Sequence, residues 1–320
     1  MNSLVTVAIT TYNSTNYVLE TLESIYSQTY KNIALVVSDD YSTDSTITVV
    51  NNWLAQEKNH KRFVSVELIT VEKNTGVSAN CNRCIAASSS NWIKFIAGDD
   101  LLLPNCIEDN MNFVANNPEA NIIFSQVKMY QDDFRAQNYI KTTPLEFPHN
   151  LMDISFTAKD QYQLLLKSDK IHYTPSYFFN KKATLKVGGY NENNRLVEDY
   201  PMWLQLTKAG EKLYYFHKPT VGYRIHKQAL NNVGDQVIFK PSVLKSHQIR
   251  KQYAHPYLPW EIAKLEQHTY WISTIFQKFG WNKKTTIYNI MYKFATVYLN
   301  PFQYMYAIKK RVYNNSQFYS

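Results

Sequence analysis

Glycine is scarce in this chain: 8 residues in 320, and none before Gly76. A dinucleotide fingerprint or a P-loop needs glycines directly after the first strand, where the backbone must approach a phosphate closely. Both are excluded for the N-terminal unit, and nucleotidyltransferases with a Gly-rich first loop are disfavoured for the same reason. Cysteine is equally sparse. Cys81, Cys84 and Cys106 are odd in number and lack a framework spacing, which suits a reducing cytosol. No apolar window of about 18 residues exists, so no transmembrane helix is predicted. Residues 1–10 have no basic region and too short an apolar run for a signal peptide. Acid is missing at the other end: residues 267–320 contain no Asp or Glu, against seven Lys or Arg, and are crowded with Tyr, Phe and Trp. The net charge of +8 is therefore unevenly spread, and such a tail points to an anionic partner, either nucleic acid or a membrane surface.

What is present is globular in character, with 45% hydrophobic and 19% charged residues. The first 130 residues alternate strand and helix signals. Strands are predicted at residues 4–10, 33–40, 63–70, 92–97 and 121–127. Helices are predicted between them: one over 13–28 with Ser14 or Thr15 as cap, one over 42–55, one opened by Gly76, and one from Pro104 to about Asn116. This alternation implies a mostly parallel, covered sheet. Ligands bind such sheets at the carboxyl ends of the strands. Three polar clusters fall there: residues 10–13, 38–40 and 98–100. Residues 132–153 read as a loop, 157–168 as a helix, and 188–189 as a turn. A helix is expected over about 200–209, with short strands at 212–217 and 220–225. From about residue 230 the signals are helical, and "IYNIMYKFATVY" places Ile287, Ile290, Met291, Phe294 and Tyr298 on one face.

The chemistry sits in carboxylate pairs. Asp99-Asp100 follows an apolar strand and Gly98. Two adjacent like charges can hold a divalent cation, since hard cations prefer oxygen ligands, or can form a solvated turn. Asp39-Asp40 can accept a hydrogen bond from a nucleobase or ribose, or can cap a helix. Glu198-Asp199 opens an amphipathic helix and can be a cap or a general base for a hydroxyl. His226 in "YRIH" reads as a metal ligand or a surface histidine, and Arg224 as a phosphate fork or the partner of a surface acid. Cys81 and Cys84 are read as packing cysteines, three positions apart on a helix.

Taken in order, these residues resemble glycosyltransferase family 2, the inverting GT-A enzymes, and in particular bacterial O-antigen and capsular polysaccharide glycosyltransferases. The resemblance is carried by "VAITTYN", "VVSDDYSTDST", "NTGVSANCNRCIAASSSNWIKFIAGDD", "KVGGYNENNRLVEDYPMWLQLTKAG" and "YRIH", and covers about residues 4–226. It implies an α/β GT-A fold: a Rossmann-like, mostly parallel central sheet flanked by helices, with a C-terminal helical extension. The expected organisation is a nucleotide-sugar-binding subdomain (1–130), an acceptor-binding and catalytic subdomain (131–229), and a basic, aromatic C-terminal region (230–320).

The resemblance also implies roles. Thr10, Thr11, Tyr12 and Asn13 line the nucleotide, with Tyr12 stacking on the base, and Asp40 bonds the uracil edge. Asp99 approaches the ribose or metal, and Asp100 is the principal ligand of Mn²⁺ or Mg²⁺. His226 completes the metal shell or touches the diphosphate, and Arg224 belongs to the donor site. Asp199 is the catalytic base, and Glu198 and Trp203 shape the acceptor pocket. Two positions depart from the family pattern. Cys81 stands where many members have Arg, and Arg83 is expected to face about 100° away from Asn82 on the helix. The acidic motif is Gly-Asp-Asp rather than Asp-x-Asp. The implied reaction is transfer from a UDP-sugar to a polyprenyl-diphosphate-linked saccharide, by a protein peripheral at the cytoplasmic face of the membrane through residues 267–320. A protein or teichoic-acid acceptor is the enzymatic alternative. A non-enzymatic nucleic-acid-binding protein is the alternative of another class, and would show salt-sensitive oligonucleotide binding.

Overall fold

The computed structural model describes residues 3–147, 151–168, 171, 173–195, 197–226 and 236–312. Four strands come from the alternating N-terminal segments: β1 (Val5–Thr11), β2 (Ile33–Asp39), β3 (Ser65–Thr70) and β4 (Trp92–Ala97). They lie parallel in the order β3-β2-β1-β4. Parallel neighbours need crossovers. Here these are α1 (Val18–Tyr26), α2 (Thr46–Leu54) with the single turn α3 (Glu57–His60), and α4 (Val77–Ala87). β1 and β2 are apolar almost throughout because both faces are covered: Val7, Ile9, Leu35 and Val37 on one face, and Ala8, Ala34 and Val36 on the other, are all buried. Each such Val, Ile or Leu side chain contributes about 1.5–3 kcal/mol by leaving water.

The sheet continues with β5 (Leu101–Leu102), β6 (Ile122–Gln131), β7 (Tyr139–Thr143), β8 (Phe178–Asn180) and β9 (Leu213–Ile225). The order runs β4-β8-β6-β9-β5, with β7 beside β6. Helices α5 (Cys106–Asn116), α6 (Ala158–Lys167), α7 (Lys181–Lys186) and α8 (Asp199–Lys208) connect these strands. Three local expectations change. Part of the segment read as a loop over 132–153 is β7, an antiparallel partner of β6; residues 148–150 of it lie outside the described residues. The two short strands expected at 212–217 and 220–225 are one strand, β9, whose pairing with β6 shifts register near Gln126. The leucines after the acidic pair form β5 before the helix begins, pairing antiparallel with Gly222 and Val221.

Contacts divide the chain into two units: Met1–Tyr162 with Lys170–Ile225, and Gln163–Asp169 with His226–Ser320. All the strands lie in the first. The boundary expected at 229/230 and the helix start near 230 lie outside the described residues. The second unit is helical: α9 (Pro241–Tyr253), α10 (Trp260–Lys278), α11 (Thr286–Lys293), a π-helical segment (Phe294–Tyr298) and α12 (Pro301–Val312). Tyr292 packs on Phe239 (5.3 Å) and Phe276 (5.2 Å), fixing α11 to α10.

A polar cluster accompanies this apolar contact. His247, His255 and Glu266 bring one ligand atom each within 4.8 Å of one another. Arg250 already binds both Glu266 oxygens, at 2.8 and 2.6 Å, and His255 Nε2 meets Oε2 at 2.9 Å. Burial alone would raise the Glu266 carboxyl, but these hydrogen bonds outweigh it and bring it to about 2. The guanidinium supplies the positive charge that a cation would otherwise bring.

Candidate active site

The parallel register sets three strand ends level. Thr10 pairs with Ser38 and Ala97, and Thr11 with Asp39. Each strand therefore delivers its polar residues to the same carboxyl edge.

The loops above this edge are tied to one another. Asp39 accepts from Thr11 Oγ1 (2.8 Å) and from the Ser42 amide (2.7 Å). Asn13 donates its amide to Ser42 Oγ and accepts the Thr43 amide on Oδ1. Asn13 and Tyr41 both take positive φ, 52° and 69°. Such a conformation is uncommon for a residue with a bulky side chain and clusters at functional sites. Between these fixed points the rings of Tyr12 and Tyr41 stand half in solvent. Ser14 and Thr15, expected as helix caps, instead bond side chains at the start of α2 and the loop before it: the Ser14 amide donates to Thr46 Oγ1 and the Thr15 amide to Asp44 Oδ2. Helix α1 accordingly begins later than expected, after Tyr17.

Asp40 is buried at the next position. It accepts from the Thr75 amide and hydroxyl, from the Gly76 amide (2.7 Å), and from Arg83 Nη2 (2.8 Å). Burial would raise this carboxyl, yet the four donors hold it below its ordinary range. Gly76 is required here: its φ is +93°, and a Cβ would lie 2.8 Å from that of Arg195. Arg83 does not turn away from the site as expected. It lies one heptad after Gly76, nearly two full turns, and helical side chains lean toward the N-terminus. Both effects carry its guanidinium back to Thr75 and Asp40. A reading that counted from Gly76, rather than from Asn82, would have found it.

The acidic pair occupies the turn between β4 and β5. Gly98 donates to the Thr10 carbonyl at 3.0 Å, and a Cβ on it would meet Thr11 Cγ2 at 2.8 Å. Asp100 is 3% exposed, which separates it from a solvated turn. Its Oδ1 accepts the Arg224 amide at 2.8 Å, and its carbonyl accepts Thr21 Oγ1. Burial, then the neighbouring Asp99, pushes the Asp100 carboxyl well above the usual carboxylate range. This is a buried oxygen donor set with excess negative charge, which fits a hard divalent cation. Lys94 lies in the core beneath it. Fully buried, its Nζ donates to the Pro175 and Tyr177 carbonyls, and burial lowers its pKa to about 8. A lysine inside the apolar run "WIKFIA" was the signal for this charge, and it went unread.

The chain around Gly189 is held by α4. Asn82 accepts the Tyr190 amide (2.9 Å) and donates to the Tyr190 carbonyl (2.8 Å), and Ser78 Oγ donates to the Asn194 carbonyl. These bonds fix the approach to Glu198 and Asp199 at the start of α8. Asp199 Oδ1 accepts the amide of Tyr200 at 2.8 Å. Trp203 is interior, edge-on to Phe124 (5.0 Å) and Tyr177 (5.3 Å), with its Nε1 buried and unpartnered among the described residues. His226 directly follows β9 and is buried. Of the predicted site residues, Thr10 to Asn13, Asp40, Asp99 and Asp100 gather at one sheet edge, while Arg224 lies inside the protein.

Burial, then the charge of Asp199, raises Glu198 to about 8. A carboxyl raised in this way is most favourable to the fold when protonated, and its contribution is lost as pH climbs from about 4.5 toward 8. Glu198→Gln is therefore expected to melt above the parent protein at pH 9 and with it near pH 4. Melting curves at the two pH values check this, and equal melting at pH 9 would refute it.

The profile described as "Glycosyl transferase family 2" matches residues 6–187, more than half of the chain. The chain belongs to glycosyl transferase family 2. This family 2 protein is a glycosyltransferase, and membership removes the non-enzymatic nucleic-acid reading. It is 24% identical over 256 residues to UDP-Glc:alpha-D-GlcNAc-diphosphoundecaprenol beta-1,3-glucosyltransferase WfaP of Escherichia coli, covering 78% of this chain and 89% of WfaP. It spans less of other relatives, 66% of the length of two Rickettsia glycosyltransferases. Among solved structures it is similar to S. aureus TarS 1-349 in complex with UDP-GlcNAc (TM-score 0.55, 14% identity, 93% of this chain and 82% of that one). It is also similar to the mannosyltransferase PcManGT of Pyrobaculum calidifontis in complex with GDP-Man and Mn²⁺ (TM-score 0.50, 14% identity, 99% and 76%). These likenesses carry the GT-A fold: a central sheet flanked by helices, with C-terminal helices following it.

Proposed function

We propose that this family 2 glycosyltransferase moves a sugar from a UDP-sugar to a hydroxyl of a polyprenyl-diphosphate-linked saccharide, with inversion and with a divalent cation, in the assembly of a bacterial surface polysaccharide. The observation that carries the reading is the Asp99-Asp100 pair, with Asp100 buried, at the carboxyl edge of the sheet, level with the loops of Tyr12 and Asp40. In this reading Tyr12 stacks on the base, with Thr10, Thr11 and Asn13 shaping its loop. Asp40 faces the uracil edge together with Arg83. Asp100 is the principal ligand of Mn²⁺ or Mg²⁺, assisted by Asp99, and His226 enters on the pattern "YRIH" alone. When bound, the cation supplies positive charge against the departing diphosphate.

Asp199 takes the proton of the acceptor hydroxyl as that oxygen bonds the anomeric carbon. The bond from that carbon to the diphosphate oxygen breaks, and the nucleoside diphosphate leaves with the electron pair. One displacement inverts the configuration. Glu198, protonated beside Asp199, faces the acceptor, while Trp203, expected to line that pocket, is 1% exposed and supports the site from the core through Phe124 and Tyr177.

The lipid-linked acceptor is supported by the name of WfaP and by the second unit. Ile287, Ile290, Phe294, Tyr298, Leu299, Ile308 and Val312 are each more than half exposed. The segment is free of acid, and Lys310 and Arg311 are exposed, while Lys309 pairs with Glu261 at 2.8 Å. Apolar side chains beside exposed cations suit an anionic lipid surface. No helix among the described residues is long and apolar enough to cross a membrane. Residues 313–320 of the proposed surface lie outside the described residues. The test is a panel of UDP-sugars with Mn²⁺ and an undecaprenyl-diphosphate-linked monosaccharide. Inverted product from one donor is expected, and absence of transfer from every UDP-sugar overturns the donor assignment.

A further inference from the structure

Of the two readings open for Arg224, a phosphate fork or the partner of a surface acid, the structure shows the second, a pair with half-exposed Glu20. Arg224 lies near the end of β9, 3% exposed, with all three guanidinium nitrogens engaged. Nε donates to the carbonyl of Asp99 at 2.8 Å. Nη1 donates to the carbonyl of Asp132 at 2.7 Å, at the turn after β6. Nη2 pairs with the carboxylate of Glu20 on α1. Two rings pack against the guanidinium, Phe134 at 4.2 Å and Tyr17 at 4.7 Å. Its own backbone amide holds Asp100 Oδ1.

One residue thus grips both members of the acidic pair, Asp99 by its carbonyl and Asp100 by its carboxylate, and anchors them to two other elements. Each anchor is itself fixed. Asp132 takes φ +62° and donates its amide to the Ile225 carbonyl, so the turn it offers is shaped by the strand that carries Arg224. Helix α1 contributes twice, through Glu20 to the guanidinium and through Thr21 Oγ1 to the Asp100 carbonyl. With Oδ1 held by the backbone, Oδ2 is the Asp100 oxygen left to turn toward a ligand. Packed against two rings, 3% exposed, and with each nitrogen already bonded to a protein oxygen, this guanidinium presents no open fork to a diphosphate.

We infer that Arg224 is a positioning residue, with Glu20 as its anchor, that sets the Asp99–Asp100 turn for cation binding and does not itself bind the donor's phosphates. This rests on the cation reading of that turn. Partners that orient metal ligands are commonly worth 10–100-fold in metal affinity, so a change at Glu20 is expected to be felt at the metal.

The test is titration calorimetry of Mn²⁺ into the full-length protein with saturating UDP, and of UDP in EDTA, for the parent, Glu20→Gln, Arg224→Lys and Asp100→Asn. Glu20→Gln is expected to weaken Mn²⁺ binding by about ten-fold while leaving UDP affinity in EDTA within two-fold. Arg224→Lys, which keeps the charge but loses the three-way fork, is expected to do the same more strongly. Glu20→Gln is half exposed on a surface helix and serves even if Arg224→Lys does not fold. Two results overturn the inference: parental Mn²⁺ affinity in Glu20→Gln, or a loss of UDP affinity in EDTA in Arg224→Lys, as a phosphate contact would give. Asp100→Asn separates this failure from that of the cation reading. If it too binds Mn²⁺ as the parent does, the cation is held elsewhere.

Discussion

Asp199→Asn is expected to lower the transfer rate by about 10²–10⁴-fold, the contribution of a positioned general base, while the fold and UDP binding remain. The reason lies in what Asp199 does for the protein besides chemistry. Its Oδ1 accepts the amide of Tyr200 at the first turn of α8. The amide oxygen of asparagine can accept the same hydrogen bond, so the helix start survives. What is lost is the site for the acceptor's proton. Without it, a neutral hydroxyl must attack the anomeric carbon unaided. The loss should appear in kcat, with donor KM nearly constant, because a general base acts on the acceptor hydroxyl in the transition state and not on the bound nucleotide. Initial rates across donor concentrations decide, and near-parental kcat would remove Asp199 from the mechanism.

Asp100→Asn is expected to act in two opposite directions. Transfer should fall about 10³-fold, since a cation opposite a departing diphosphate supplies several kcal/mol in the transition state. Stability of the metal-free protein should instead rise. The parent keeps a carboxylate 3% exposed beside Asp99, and ionising it there is costly. Asparagine occupies the same volume and still accepts the Arg224 amide without that charge. Thermal melts in EDTA near pH 7.5 should show the variant roughly 2–4 °C above the parent, the shift of about 1 kcal/mol in a large domain. With UDP present throughout, adding Mn²⁺ should raise the parent further and leave the variant unmoved. A variant that Mn²⁺ stabilises beyond UDP alone, or a parent fully active in excess EDTA, would remove the cation from Asp100.

Much of this site was legible before any coordinates, for a local reason. Strand period, helix period and turn residues are properties of short windows, and "VAITT", "VVSDD" and "FIAGDD" each end an apolar run on polar residues. A parallel sheet then brings such endings together without further information, and Thr10, Ser38 and Ala97 are indeed neighbours. The errors were non-local. β7 has a largely exposed strand pattern and β8 is three residues long, so neither carries a periodic signal. Both exist because β6 and β4 offer them an edge.

Side-chain destinations divide in the same way. The sequence by itself determined the family, the order of motifs and which residue types stand at the sheet edge, because these depend on chemistry and spacing along the chain. Only the tertiary structure decided what each charge faces. Asp40 meets four donors from α4 and its leading turn. Arg83 reaches back to it across nearly two turns of helix. Arg224, the same residue type, is drawn inward against two rings to hold the acidic turn. An arginine's fork fits a phosphate, a carboxylate or three carbonyls equally well in principle. Which of them it binds is set by the groups that burial leaves within reach, and those come from distant parts of the chain.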